Sequence, residues 1–182
     1  EIKYSKNDKC YVVSGNGFEV KLSKKTGELC SYKKDGVERL ERGIRPQFSR
    51  ANIDNERMAQ VPFEWVKTLI GLHAFDSAER MMRPVSVKAE HFGSCVKLSV
   101  KWRTKYLSGI VTEYLVFPDG TLSASLTCKN ITPVDLPRYG LTFELTDGGD
   151  GIEDYGKGPH ENYCDRKTGA RLGVYRFQSA ES

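Results

Sequence analysis

Long apolar runs are absent from this sequence of 182 residues. No stretch approaches the roughly 20 consecutive apolar residues that a membrane-spanning helix needs, and the first residues lack the short apolar core of a secretory signal. A membrane partner is therefore not expected. The remaining composition, 38% hydrophobic and 29% charged, is that of an ordinary domain with a core. Because no low-complexity linker interrupts the sequence, we expect residues 1–182 to form a single domain.

Metal-binding spacings and one-sided charge are lacking as well. The five cysteines and three histidines include no Cys-x-x-Cys pair and no mixed cluster with zinc spacing, so we expect no metal site. The odd number of cysteines leaves at least one thiol free, and a disulfide framework is not expected in a chain of this length. The formal net charge is +4, with basic residues interspersed among acidic ones. Nucleic-acid binding normally needs a basic stripe, so it is not expected.

What the sequence does have is apolar–polar alternation with a period of two, which is typical of half-buried β-strands. Turn signals such as Asp35-Gly36 separate these runs at intervals of about ten residues. Strands at that spacing favour an all-β, antiparallel β-sandwich over alternating strands and helices. The apolar members of the clearest runs are Phe18, Val20 and Leu22; Val96, Leu98, Val100 and Trp102; Leu122, Ala124, Leu126 and Cys128; and Leu141, Phe143 and Leu145.

One short helix is predicted near residues 62–72. Pro62 suits the first helical position, Gly71 can end the last turn, and Trp65 and Leu69 fall on one face. The plain interpretation is an amphipathic helix that covers an edge or an end of the sandwich, with Trp65 in the core. A helix that binds a partner is the alternative.

Polar and conformationally special residues concentrate in residues 156–166, which read Gly-Lys-Gly-Pro-His-Glu-Asn-Tyr-Cys-Asp-Arg. Glycine and proline end the preceding strand and impose a tight loop. Polar side chains can then tie the loop down, and an arginine can hold a carboxylate through two parallel hydrogen bonds. We therefore predict a loop-locking motif that consists of Gly158, Pro159, Glu161, Asn162, Tyr163, Asp165 and Arg166.

A second polar motif lies about a hundred residues upstream. Residues 45–55 read Arg-Pro-Gln-Phe-Ser-Arg-Ala-Asn-Ile-Asp-Asn, within a long stretch that lacks periodicity. Such loops tend to be functional or specially anchored, and Arg50 and Asp54 can pair to pin this one. In this order, the two motifs resemble the Phe-x-Arg-Ala-Pro-x-Asp-Asn-Asp and Gly-x-Gly-Pro-x-Glu-Asn-Tyr-x-Asp-Arg signatures of the C-terminal small-chain domain of family 2 β-galactosidases. Asn52 and Glu56 depart from the first signature.

The resemblance implies a supersandwich with the galactose mutarotase-like fold. The family domain continues well past the second motif, so we expect an incomplete copy, and a start at Glu1 without methionine agrees with a piece of a longer protein. The implied function is a non-catalytic part of a bacterial β-galactosidase, in the cytoplasm or the periplasm, whose parent hydrolyses terminal β-D-galactosides with retention. This chain would supply scaffold and a rim loop for the active site at Arg50, Asp54 and Asn55.

The implied partners are the catalytic barrel and the other domains of the parent enzyme. The family's acid and nucleophile lie in that barrel, so the galactoside would contact this chain at most indirectly. Strand edges left open by missing strands would favour self-association. No cofactor is expected in this chain, and any Mg or Na that the parent uses is expected outside it.

Catalysis by the chain itself is the competing hypothesis. Retaining glycosidases use two carboxyl groups about 5–5.5 Å apart, and Glu161 and Asp165 are the internal candidates. An acid beside Arg166 is more simply an ion-pair partner with a lowered pKa, so we expect no catalytic residue here and an inactive isolated chain. A different class of function stays open: a stand-alone carbohydrate-binding or aldose-epimerase-like sandwich, with His160 as the candidate histidine. Cys164 lacks a placed base for nucleophilic catalysis.

Overall fold

The computed structural model describes residues 2–50, 74–131, 136–146, 151–159 and 168–177. The chain divides into two compact units, residues 1–146 and residues 147–182. In the described residues, the first unit contains strands β1 to β11 and a helical segment at residues 74–80 (α1), and the second contains the hairpin β12–β13. The single domain over residues 1–182 stays a prediction. No helix in these described ranges is long and apolar enough to cross a membrane.

Seven strands of the first unit form the larger sheet. Its order is β1-β2-β3-β4-β6-β11, with β5 paired to β4 beside this path, and all of its ladders are antiparallel. The strands run from hairpin to hairpin as far as β6, and β11 returns much later to pair with β6. The bounds are β1 (Lys3–Lys6), β2 (Cys10–Gly15), β3 (Phe18–Ser23), β4 (Leu29–Lys34), β5 (Val37–Glu38), β6 (Leu40–Gln47) and β11 (Gly140–Leu145).

Four strands of the first unit form the smaller sheet, in the order β10-β9-β8-β7. Each pairs antiparallel with the strand next to it in sequence, so this sheet is a meander. The separate hairpin of the second unit is also antiparallel. The bounds are β7 (Arg83–Phe92), β8 (Cys95–Arg103), β9 (Leu107–Val116), β10 (Leu122–Asn130), β12 (Ile152–Gly158) and β13 (Arg171–Phe177).

The two sheets of the first unit pack face to face because each has one apolar face. Phe18, Val20 and Leu22 of β3 are buried and alternate with half-buried residues, as the period of two predicts. Burial of one such side chain contributes about 1.5–3 kcal/mol, and the core draws on both sheets. The antiparallel β-sandwich is therefore confirmed. Its buried cluster comprises Val13, Phe18, Val20, Leu22, Leu29, Leu40, Ile44, Phe48, Phe75, Val96, Leu98, Val100, Trp102, Leu107, Ile110, Tyr114 and Val116.

Several polar groups inside the sandwich are hydrogen-bonded, one of them across its two layers. The Tyr32 hydroxyl, from the larger sheet, donates to the Gly120 carbonyl at the turn between β9 and β10, at 2.9 Å. The indole N–H of Trp102 donates to the hydroxyl of Thr112 on the next strand, at 3.0 Å. Burial raises the pKa of the Tyr114 hydroxyl above its usual range, so it stays protonated. Hydrogen-bonded polar groups of this kind lower the cost of burial.

A carboxylate closes the corner between β4, β5 and β6. Glu38 accepts hydrogen bonds from the Ser31 hydroxyl at 2.6 Å and from the backbone N–H groups of Tyr32, Arg39 and Leu40 at 2.8, 3.2 and 3.2 Å. Burial acts to raise the pKa of this carboxyl group, but the hydrogen bonds outweigh it and the net pKa is lowered. The folded chain therefore holds Glu38 ionised.

The predicted strands at residues 122–128 and 141–145 are confirmed as β10 and β11, but some of their alternating apolar residues are exposed. Phe143 and Leu145 were expected to face the core but are exposed, because β11 is an edge strand whose pairing with β6 is irregular after Thr142. Ala124 is exposed as well, although it lies on the apolar side of β10 in the sequence pattern. The predicted helix at 62–72, with Trp65, lies outside the described residues. The helix that the structure describes, α1, covers residues 74–80.

Candidate functional site

The first predicted motif begins where β6 ends. Gln47 is the last residue of β6 and pairs with Gly140. Phe48 then turns into the core and is completely buried, and Ser49 and Arg50 follow at half-buried positions. The burial of Phe48 therefore packs the first described residues of the motif on the sandwich.

One carboxylate holds the chain directly after the end of β6. Glu79 Oε2 accepts hydrogen bonds from the backbone N–H groups of Phe48 and Ser49, both at 3.1 Å, and from the Ser49 hydroxyl at 2.8 Å. Glu79 lies in α1, and α1 is fixed to the sandwich by the buried side chains of Phe75 and Ala78. Backbone donors just past the end of a strand are thereby paired, and the end of β6 is tied to α1.

Arg50 makes a second anchor. Its Nε donates to the carbonyl of Pro137 at 2.9 Å, across 87 positions of sequence. Tyr139, two residues further on, packs its ring against Phe48 with 6.5 Å between ring centroids. Its hydroxyl donates to the carbonyl of Leu126. The segment that leads into β11 is thus tied both to the start of the motif and to β10, which gives Arg50 a structural contact.

The other members of the predicted rim loop cannot be placed. Asp54 and Asn55 lie outside the described residues, as does the proposed partnership of Arg50 with Asp54. The rim loop at Arg50, Asp54 and Asn55 therefore stays a prediction. The described part of it is the anchored start, from Phe48 to Arg50.

Sequence reasoning missed Glu79 because two of its three hydrogen-bond donors are backbone N–H groups and all three lie some 30 positions away. Backbone donors carry no residue-type signal. A weak signal does exist: Arg80 is satisfied by Asp76 one helical turn earlier, with 3.0 Å between Arg80 Nη2 and Asp76 Oδ2. That pair leaves Glu79 available for a contact beyond its own helix.

Replacing Glu79 with alanine is expected to lower the free energy of unfolding by about 2 kcal/mol, since three donors at the end of β6 lose their acceptor. Denaturant unfolding, followed by tryptophan fluorescence, measures this difference. The matched control is Asp76→Ala on the same helix, which removes only an exposed ion pair and should cost about 0.5 kcal/mol. Equal effects of the two substitutions would contradict the clamp.

The second predicted motif begins at the end of β12, in the second unit. Gly158 is buried, and a Cβ added there would lie 2.9 Å from two ring carbons of Tyr175. The Tyr175 hydroxyl donates to the Arg171 carbonyl at 2.6 Å, which holds the ring in place. The peptide bond between Gly158 and Pro159 is cis. Close packing of an aromatic ring against the backbone therefore explains why glycine stands at the entrance to this motif.

The rest of that motif falls in residues that the structure does not describe. The loop-locking role remains a prediction for the whole set, because the structure describes only its first two members, Gly158 and Pro159. Those outside the described residues are Glu161, Asn162, Tyr163, Asp165 and Arg166, together with His160 and Cys164.

The acids just upstream do not form a facing pair. Glu153 and Asp154 are consecutive residues of β12, so their side chains point to opposite faces of the hairpin. Glu153 accepts from the Nε of Arg176, its cross-strand neighbour, at 2.8 Å. Asp154 lies opposite Tyr175. Two carboxyl groups on opposite faces do not provide the spacing that retaining hydrolysis requires.

Two of the described thiols, Cys30 and Cys128, are poorly suited to nucleophilic chemistry or metal binding. Cys10, Cys30, Cys95 and Cys128 are free. Burial, followed by the neighbouring Cys10 thiol, raises the pKa of Cys30 to about 11, and burial also raises the pKa of Cys128. Protonated thiols are weak nucleophiles and ligands. In the part of the chain that the structure covers, no group of three or more His, Cys, Asp or Glu residues could hold a metal ion.

Comparison with known proteins gives one consistent match. The family model described as "Beta galactosidase small chain" matches residues 14–182. The matched range includes almost the whole sandwich, the Arg50 anchor and the entire second unit.

Several bacterial proteins that carry the name "Beta-galactosidase" are similar to this chain. "Beta-galactosidase" from Priestia megaterium is 29% identical over 175 residues, which are 93% of this chain and 16% of the relative. The protein of that name from Halalkalibacterium halodurans is 31% identical over 179 residues, 93% of this chain and 17% of the relative. The one from Klebsiella pneumoniae is 30% identical over 161 residues, 82% of this chain and 15% of the relative. The chain thus spans about a sixth of the length of the curated relatives it matches.

Proposed function

The chain belongs to the β-galactosidase small-chain family, and from that premise we propose that it is a non-catalytic sandwich portion of a β-galactosidase. The parent enzyme hydrolyses terminal β-D-galactosides with retention, and its catalytic carboxylates lie outside these 182 residues. This chain supplies scaffold and anchors a rim loop that begins at Arg50. Its partners are the catalytic barrel and the other domains of the parent.

The observation that carries the proposal is how the described carboxylates are used. Glu38 and Glu79 each hold several hydrogen-bond donors of the fold, and Glu153 pairs with Arg176. Carboxylates engaged in this way serve the structure, whereas a catalytic acid must lie beside an open substrate site with its proton free to transfer. The assignment of structural roles agrees with a family match that covers about a sixth of a β-galactosidase.

The open side of the sandwich supports the proposed partners. In the described residues β11 pairs only with β6, and β10 pairs only with β9, so each sheet ends there in a strand with one unpaired edge. Phe143 and Leu145 of β11 expose half or more of their surface, and Tyr139 beside them is also exposed. Open edges with apolar side chains favour association with further polypeptide. In the parent, its other domains would cover this side.

Activity measurements on three proteins test the proposal. We expect no turnover of a chromogenic β-galactoside by the isolated chain, clear turnover by the full-length parent, and loss of turnover when residues 48–79 of this region are deleted from the parent. Enzymes accelerate reactions by about a millionfold or more, so a trace of contaminating enzyme could by itself produce turnover. Repeating the assay on a chain purified under denaturing conditions and refolded excludes this contamination.

Turnover by the isolated chain would overturn the division of labour between this chain and the rest of the enzyme. Saturable binding of galactose or lactose by the isolated chain, measured by calorimetry, would instead favour the stand-alone carbohydrate-binding sandwich. We also propose that any metal dependence of the parent arises outside this chain, so that EDTA leaves the melting temperature of the isolated chain unchanged.

A further inference from the structure

The hairpin of the second unit has two unequal faces. Pairing sets Gly158 opposite Arg171 and Gly156 opposite Gly173, and on that face the Tyr175 ring covers Gly158. On the other face, Tyr155 lies directly opposite Val174. Leu172 belongs to the next pair on that same face, opposite Lys157. Those three side chains define what we call the apolar hairpin face.

The apolar hairpin face is strongly exposed. The exposed fractions are 72% for Tyr155, 66% for Leu172 and 58% for Val174. A lone two-stranded hairpin is marginally stable in water, and contiguous exposed apolar patches in soluble proteins mark interaction sites. The three residues are neighbours on a single flat surface, in contrast to apolar residues scattered singly over a protein. This exposure therefore indicates that other polypeptide covers the apolar hairpin face.

We propose that the apolar hairpin face docks against polypeptide of the parent β-galactosidase that lies outside these 182 residues. This inference rests on the proposed function. The relatives are about six times longer than the matched region, and the family match includes the whole hairpin. Most of the polypeptide that could cover this face therefore lies beyond this chain.

Charge around the face indicates the chemistry of the docking surface. Lys157 lies directly opposite Leu172 and is exposed, and Arg176 lies at the far end of the face, paired with Glu153. The docking surface is therefore an apolar patch with a carboxylate at its rim. A second copy of this chain fits less well, because each chain carries a net charge of +4 and like net charges oppose association.

Hydroxyl-radical footprinting with mass spectrometry tests the docking on unmodified protein. We expect fast labelling of Tyr155, Leu172 and Val174 in the isolated chain and labelling about tenfold slower in the full-length parent, because the centre of an interface excludes water. Val37, an exposed valine of β5, is the matched comparison for Val174. Equal labelling of the hairpin face in both proteins would overturn the proposal.

Two other occupants are separate outcomes of the same experiment. Slow labelling in the isolated chain at every concentration would show that this chain covers its own hairpin. Protection that grows with the concentration of the isolated chain would show a second copy as the occupant. Either result would overturn the proposal. The readout reports packing whether or not the parent hydrolyses galactosides, so its failure is distinguishable from failure of the proposed function.

A substitution adds a second measurement. In the parent, Val174→Lys should restore the labelling of Tyr155 to within about twofold of its rate in the isolated chain, because a buried ammonium group opposes docking. In the isolated chain the same substitution should leave the Tyr155 rate unchanged, and Val37→Lys should change it in neither protein. Protection of Tyr155 that survives Val174→Lys in the parent would contradict docking through this face.

Discussion

Replacing Glu38 with alanine is expected to lower the free energy of unfolding of the isolated chain by about 3 kcal/mol. The carboxylate accepts from one hydroxyl and three backbone N–H groups at the corner of β4, β5 and β6. Its removal leaves the buried Ser31 hydroxyl without this acceptor. Denaturant unfolding measures the loss, and its midpoint should fall without a large change in slope.

The neighbouring Glu41 provides the control for that substitution. Glu41 is exposed on β6, so Glu41→Ala removes the same charge from the chain and should change stability by less than about 0.5 kcal/mol. Comparable losses for Glu38→Ala and Glu41→Ala would show that net charge matters here and the hydrogen bonds do not.

The pH dependence of Glu38→Gln gives an independent measurement of the same group. The folded pKa of Glu38 is lowered from its ordinary value of 4.5, so the folded state binds this proton less readily than the unfolded state. The stabilisation is therefore fully present above the unfolded pKa and is lost as the pH falls through the lower folded pKa. The difference between wild type and Glu38→Gln should be constant near neutral pH and shrink under acid conditions.

The strands could be predicted from the sequence wherever both neighbours of a strand are close in sequence. β3 and β8 lie inside their sheets, so alternation maps directly onto burial in the runs at Phe18–Leu22 and Val96–Trp102. β11 behaves differently because it pairs with a strand almost a hundred residues earlier and with irregular register. Its alternation was read correctly as a strand, but Phe143 and Leu145 were wrongly assigned to the core.

The contacts of the candidate site were less accessible to sequence reasoning than the strands. The sequence motif identifies Arg50 as a candidate site residue. Its hydrogen-bond acceptor is the backbone carbonyl of Pro137, which no residue pattern predicts. Glu79 was not singled out for the same reason: a carboxylate that binds backbone N–H groups has no partner residue type. The sequence predicts that Gly158 helps to end the strand and impose a tight loop, but it carries no signal for the Tyr175 ring that packs against this glycine.

Replacing Gly27 with alanine is expected to lower the free energy of unfolding by about 3–4 kcal/mol. Gly27 has φ +73°, and a Cβ there would lie 2.7 Å from Trp102, 2.9 Å from Pro84 and 3.0 Å from Val100. The left-handed backbone costs a residue with a side chain about 1 kcal/mol, and overpacking against three fixed groups adds about 2–3 kcal/mol.

Gly36→Ala separates these two contributions. Gly36 has φ +79° but an added Cβ would meet nothing within 4 Å, so this substitution should cost about 1 kcal/mol, the backbone contribution alone. The excess loss for Gly27→Ala then measures how tightly the turn between β3 and β4 packs on the smaller sheet. Equal losses at the two positions would mean that this turn is not pressed against Trp102 and Val100. The face-to-face packing of the two sheets at that end would then be wrong, and with it the scaffold on which the Glu79 and Arg50 anchors depend.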